Sequence, residues 1–257
     1  TRSDRDWSSD VCSSDLAEPD SYLHYLEGCS APLYTTQSLH SGVVEIIVRE
    51  RAKVRYTTIQ NWSSNVYNLV TKRAHVYEKA HIEWIDGNFG SHITMKYPCA
   101  VLKGEHASCY MMSLAVAGKG QNQHTGAKVI HQVPKTTATV LSKSMSHDGG
   151  NTSFISKIAV LKGAYQSKTN VTCDALILDD LSTSTAYPDM EIAHTQADIG
   201  HEATVGNLDD ELMFYLAGRG IDEQVARALL INGFAHAFVE QLPLEYAVEL
   251  NRLIMLN

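Results

Sequence analysis

What most constrains the fold of this chain is a long succession of short segments in which apolar and polar residues alternate, with no long helical stretch between them. Val43-Val44-Glu45-Ile46-Ile47-Val48, Lys53-Val54-Arg55-Tyr56-Thr57-Thr58-Ile59, His81-Ile82-Glu83-Trp84-Ile85 and His92-Ile93-Thr94-Met95-Lys96-Tyr97 are rich in Val, Ile, Thr and Tyr. Thr137-Ala138-Thr139-Val140-Leu141, whose alternation is looser, and Asp174-Ala175-Leu176-Ile177-Leu178 continue the series. A period of two in residues that favour extended backbone predicts strands. Asp86-Gly87-Asn88, Gly118-Lys119-Gly120 and Asp148-Gly149-Gly150-Asn151 supply turns between them. A doubly wound α/β sheet needs a helix after each strand and is disfavoured. A sandwich, a barrel and a solenoid remain. The scarcity of two-residue Asn-Gly turns favours the solenoid, although no crisp repeat is visible.

The period changes after about residue 207. Asp209-Asp210-Glu211 supplies the acids that a helix N-terminus favours, and Leu212, Tyr215 and Leu216 share one face of the helix that follows. Gly218-Arg219-Gly220 ends it, and Asp222 is a good N-cap for a second helix. Gly233 is expected to bend or interrupt that second helix. Pro243 opens a third, with Tyr246, Ala247, Leu250, Leu253 and Ile254 as its apolar stripe. The expected organisation is a β core over 17–206 and a helical subdomain over 207–257. Such a subdomain reads equally as a cap on the β core or as a docking surface.

Composition excludes several classes. Hydrophobic residues make up 44% of the 257, so a sizeable core is available. A net charge of −8 argues against a broad nucleic-acid-binding face. No apolar run approaches the roughly 18–20 residues that span a bilayer, so no membrane segment is expected. Residues 1–16, polar and repeating Ser-Ser-Asp, lack the features of a secretory signal and read as a disordered or foreign leader, Cys12 included. The five cysteines are scattered, odd in number and without a CxxC pair, which favours free thiols over a disulfide framework or a zinc ribbon. His75, His81, His92 and His106 come from separate segments with no HxH or HExxH spacing and read as ordinary. Gly163 to Thr169 is one residue short of phosphate-loop spacing and lacks its second glycine.

Several stretches, in order, resemble the SufB/SufD family, and its SufB branch more than its SufD branch. They are Tyr25-Leu26-Glu27-Gly28-Cys29-Ser30-Ala31-Pro32, Thr58-Ile59-Gln60-Asn61-Trp62, and Tyr67 to Arg73. Met95-Lys96-Tyr97-Pro98, Asn170 to Asp174, His201-Glu202-Ala203-Thr204, Asn232-Gly233-Phe234 and Glu240 to Ala247 follow. The resemblance spans roughly residues 20–255. It implies a right-handed parallel β-helix flanked by helices, and a fragment lacking the family's N-terminal helical part. It also implies a cytoplasmic scaffold on which an iron–sulfur cluster is built from iron and persulfide sulfur. The partners it implies are a SufC-type ABC ATPase docked on the C-terminal helices, SufD or a second SufB, and a cysteine desulfurase acting through a sulfur carrier.

The resemblance also nominates residues. Cys173 matches the family's cluster-site cysteine, although on its own it reads first as a buried inert thiol. His201 and Glu202 match a His-Glu pair able to hold iron. Neighbours in a strand face opposite sides, so both reach one metal only if the backbone turns, which Gly200 permits. Cys29 matches the point where sulfur enters in some members. Gln60, Trp62 and Lys72 match residues of an internal route between the two thiols; on composition alone Trp62 is core and Lys72 a surface charge. Cys99 and Cys109 read as structural. No nucleotide site is expected, so ATP hydrolysis and desulfuration fall to partners. The competing readings are a SufD-like structural partner and a carbohydrate-active β-solenoid, for which Asp179-Asp180 is the best carboxylate pair.

Overall fold

A computed structural model describes residues 8–30, 36–208, 210–248 and 250. It is mainly β, a parallel solenoid of about seven turns followed by three short helices. One sheet, A, contains β1 (Ser8–Ala17), β3 (Ser38–Val48), β5 (Val66–Val76), β7 (Ile93–Lys96) with β8 (Cys99–Leu102), β10 (Asn122–His131), β12 (Asn151–Val160) and β14 (Thr183–Ile192). The other, B, contains β2 (Tyr22–Ser30), β4 (Lys53–Trp62), β6 (His81–Gly90), β9 (Ser108–Ala117), β11 (Thr137–Ser146), β13 (Lys168–Ile177) and β15 (Asp198–Asn207). The opening stretch, expected as a leader through residue 16, contributes β1 from Ser8, in parallel register with β3.

Every turn gives one strand to each sheet, and each strand pairs in parallel with its counterpart one turn on. Val140 lies opposite Val171, and Val171 opposite His201, so a turn takes about 30 residues. Turn length varies by a few residues, which hides the repeat from a reading of the sequence. The strand position of the fourth turn is split into β7 and β8 at Tyr97-Pro98, because proline has no N–H to give a ladder.

The alternation seen in the sequence is the inward–outward alternation of the strands. Residues 38 to 48 run buried at every second position, with Ile46 and Val48 fully enclosed. Part of the interior is a dry column: Tyr56 and Trp84 pack with ring centroids 5.2 Å apart, and Met111, Val140 and Val171 continue the row. One corner is built from non-glycine residues with positive φ: Asp20, Arg51, Lys79, His106, Lys135 and Gln166. The N–H groups of Asp20, Arg51, Lys79, Lys135 and Gln166 donate to carbonyls of the following turn at 2.9–3.1 Å, offsetting the cost of that conformation.

Two of the helices are α1 (Asp210–Gly218) and α2 (Glu223–Val239); residues 244–248 form the third. The Asp222 carboxylate accepts from the Gln224 N–H, as an N-cap should. Gly233 does not interrupt α2, contrary to expectation. Its helical cost of about 1 kcal/mol is outweighed by the neighbouring Ala235 and Phe238, fully buried against the outer face of sheet B. A Cβ at Gly87 would stand 3.2 Å from the Phe238 ring, so glycine there lets the helix sit close. Asp209, Leu253 and Ile254 lie outside the described residues.

Candidate functional site

The inward face of sheet B carries the groups of interest. In register across successive strands stand Glu27, Thr58, Asp86, Ser113, Ser142 and Cys173. Every member of this column is polar or a thiol, and all but Glu27 are buried. Cys29 begins the adjacent column, followed by Gln60, Asn88, Ala115 and Ser144. The two thiols therefore mark opposite ends of one internal polar seam. Five strand steps separate β2 from β13, about 24 Å.

At the β2 end the Cys29 thiol donates to Glu27 Oε1 at 3.1 Å, and the Tyr56 hydroxyl donates to Glu27 Oε2 at 3.1 Å. Burial, then the adjoining Glu27, pushes the Cys29 thiol up to about 12. Lys72, expected on composition alone at the surface, is 1% exposed, and its Nζ stands 4.7 Å from the Tyr56 ring centroid. It donates to Thr58 Oγ1 at 3.0 Å and to Asp86 Oδ1 at 2.9 Å. Burial, opposed by the Asp86 carboxylate, brings its ammonium down to about 8. Gln60 and Trp62 are also buried; Gln60 Oε1 accepts from Asn68, and the Trp62 ring tilts over His40.

The sequence reading missed the centre of this network. Lys96 is as buried as Lys72 and contacts the same Asp86 oxygen at 2.8 Å, while donating to Thr58 and Asn88. Thr58 in turn donates to Asp86 Oδ1. Burial alone would raise the Asp86 carboxyl; the two ammonium groups hold it well below the usual carboxylate range. The available signal was parity: Lys96 shares its strand face with Thr94, so a buried Thr94 buries Lys96.

At the far end Cys173 lies among Val140, Val171 and Phe154, 4% exposed. Its Sγ stands 3.7 Å from His201 Nε2. Burial, then the charge of Asp174, pushes its thiol up to about 12. β15 is an unbroken strand through Gly200, so Glu202, beside Thr172 on the outward face and exposed, does not join Cys173 and His201. No three of His, Cys, Asp and Glu among the described residues gather closely enough to hold a metal. Cys99 and Cys109 are buried. Asp179 is occupied by its own turn, accepting from the N–H groups of Leu181 and Ser182. No helix among the described residues is long and apolar enough to cross a membrane.

Residues 16–234 match the family model described as SUF system FeS cluster assembly, SufBD core domain. The chain belongs to the SufBD family. It is 52% identical over 242 residues to an iron–sulfur cluster assembly SufBD family protein of Mycobacterium leprae, covering 94% of this chain and 28% of that protein. A Staphylococcus aureus protein of the same description is 52% identical over 239 residues, covering 93% of this chain and 51% of that protein. The chain thus spans about half or less of the length of these relatives.

Proposed function

We propose that this chain is the sulfur- and iron-handling core of a SufB-type scaffold. Cys29 takes sulfur from a persulfide donor: its thiolate attacks the outer sulfur, the S–S bond breaks, and the donor leaves as a thiolate. Gln60, Trp62 and Lys72 line the polar seam that leads from this persulfide toward Cys173. There the thiol and the His201 imidazole offer iron a soft ligand and a borderline one. Iron binding displaces the thiol proton, so a high thiol pKa stores the site in its unreactive form until metal arrives.

Two ligands leave a cluster open. Its completion falls to a partner across the end of the solenoid, SufD or a second copy, with the outward-facing Glu202 available to that interface. A cluster held between subunits is labile enough to pass to apo-proteins. The C-terminal helices are the docking surface for a SufC-type ABC ATPase, consistent with Phe214 and Tyr215 of α1 being exposed. A cysteine desulfurase supplies sulfur through a carrier, in the cytoplasm. This chain catalyses neither desulfuration nor ATP hydrolysis.

The observation that carries this reading is the unbroken polar column linking the neighbourhood of Cys29 to Cys173. Its test is anaerobic reconstitution with iron and sulfide in the presence of the ATPase and second-scaffold partners. The wild-type complex is expected to gain cluster absorption that Cys173→Ser lacks. Equal clusters in both would make Cys173 structural, and none in either folded complex would favour a SufD-like structural partner.

A further inference from the structure

A cavity between α2 and the ends of β9, β11 and β13 has no part in the function proposed above. We propose that it is a binding site for a free α-amino acid with an apolar side chain. The inference stands independently of the sulfur route.

The cavity measures about 400 Å³, a size typical of sites for small organic molecules and far beyond what one water or ion needs. Val116 near the end of β9, Met145 near the end of β11 and Leu178 just past β13 give it an apolar wall. Ala228 and Ile231 of α2 face that wall. Arg227 and Asn232 border the cavity from the same side of the helix. Val225 and Leu229 are exposed on another face, so the cavity is distinct from the surface that α2 offers to a docking partner.

Two polar groups at the cavity call for a ligand. Asn232 Oδ1 is buried and accepts no hydrogen bond among the described residues. A buried acceptor in that state is costly unless a ligand supplies the donor. Asn232 belongs to the Asn232-Gly233-Phe234 stretch, for which the sulfur route has no use. Arg227 donates from Nη2 to the Leu178 carbonyl at 3.0 Å, which holds its guanidinium beside the cavity. It pairs with no carboxylate among the described residues, so its remaining N–H groups suit an anionic ligand.

The acids at the rim narrow the choice. Asp179 is spent on its turn: it accepts from the N–H groups of Asp148, Leu181 and Ser182 and from the Ser182 hydroxyl. The first of those bonds helps to hold Asp148 at its positive φ of 52°. Asp148 Oδ2 stands 2.8 Å from His147 Nδ1, and Oδ1 has no partner among the described residues. Two carboxylates beside the cavity disfavour a phosphate or a dicarboxylate, and Arg227 disfavours a plain amine. A zwitterion satisfies both signs. Its carboxylate meets Arg227, its ammonium group donates to Asn232 Oδ1 and faces Asp148, and its apolar side chain lies against Val116, Met145, Leu178 and Ile231. A free α-amino acid carries these three parts on one small frame.

The test is isothermal titration calorimetry of the full chain with L-leucine, L-methionine and L-phenylalanine, each titrated separately. At least one is expected to bind at one site per chain. The tightest binder is then compared with its deaminated acid and its decarboxylated amine. Each analogue should bind about tenfold or more weakly, because each lacks one of the two charged groups. Arg227→Met should weaken the amino acid by about tenfold or more as well. That variant also gives up the bond to Leu178, so Asn232→Leu is measured beside it. Asn232→Leu removes no hydrogen bond found among the described residues, and its thermal midpoint should not fall, while its affinity should drop about tenfold. Binding of none of the three amino acids up to about 10 mM would overturn the proposal. So would equal affinity for an analogue lacking either charge, or equal affinity in folded Asn232→Leu.

Discussion

The imidazole Nε2 of His201 stands 3.7 Å from the Cys173 thiol, one strand away on the same inward face, while Glu202, its neighbour in sequence, turns outward. Cys173 and His201 therefore meet on one face within the chain, and Glu202 does not reach them. His201→Ala should lower iron affinity by about tenfold or more, and Glu202→Ala by much less, in the chain without partners. Iron retained after anaerobic gel filtration measures both. Equal losses would contradict the division of β15 into two faces.

Both end thiols lie at about 12. At pH 8 about one in ten thousand would then be thiolate, against about one in ten for a thiol at 9.0. Alkylation of Cys29 and Cys173 should be slow at neutral pH and rise about tenfold per pH unit up to pH 10. Peptide mass spectrometry of iodoacetamide-treated protein reads this directly. A rate that levels off below pH 9 would refute it.

Asp86 is the only acid bonded to Lys72 and Lys96 among the described residues, so its loss leaves two buried cations unmatched. Asp86→Asn should cost about 3–5 kcal/mol in urea unfolding. Adding Lys96→Met to that variant should recover part of the loss, because one of the unmatched charges is gone. No recovery would mean that Asp86 acts through packing.

His131 is fully enclosed, its ring nitrogens 2.7 Å from Thr136 Oγ1 and 2.7 Å from Thr169 Oγ1. Burial brings it from 6.5 down to about 4. The unfolded chain thus binds a proton that the folded chain refuses between those values. Stability is kept above pH 6.5 and falls as the pH drops, by about 2 kcal/mol at pH 5, with the loss complete below about pH 4. Denaturant midpoints for wild type and His131→Gln at pH 7 and 5 test this; the variant should show the shallower dependence. Parallel profiles would assign the acid sensitivity to other groups.

The strands from Val43, Lys53, His81 and Thr137 and the N-cap at Asp222 were legible because each rests on a local signal, alternation or a capping side chain. Gly233 was misread because a local helix penalty says nothing of Phe238 and Ala235 packing onto a sheet far away in sequence. Cys173, His201 and Glu202 could be named together from the resemblance, but the approach of the first two and the divergence of Glu202 depend on β15 staying straight through Gly200. Asp86, read with Gly87 and Asn88 as a turn, lies inside β6, and it and Lys96 were not seen as buried partners for a related reason. Burial of an ammonium group is set by which turn stacks on which, and variable turn lengths conceal that stacking.

The corner of left-handed residues from Asp20 to Gln166 bears on how chains of this kind can change length. Asp20, Arg51, Lys79, Lys135 and Gln166 are bonded to the turn ahead of them, and the strand after each corner must keep its parity for the polar column to stay inside. A single residue added within a strand would turn the seam outward and the exposed face inward. Growth or loss is therefore tolerated in the loops or by whole turns of about 30 residues, each with its own left-handed corner. Adding a turn between β6 and β13 would lengthen the distance between the two thiols by one strand spacing, about 4.8 Å, without disturbing either end.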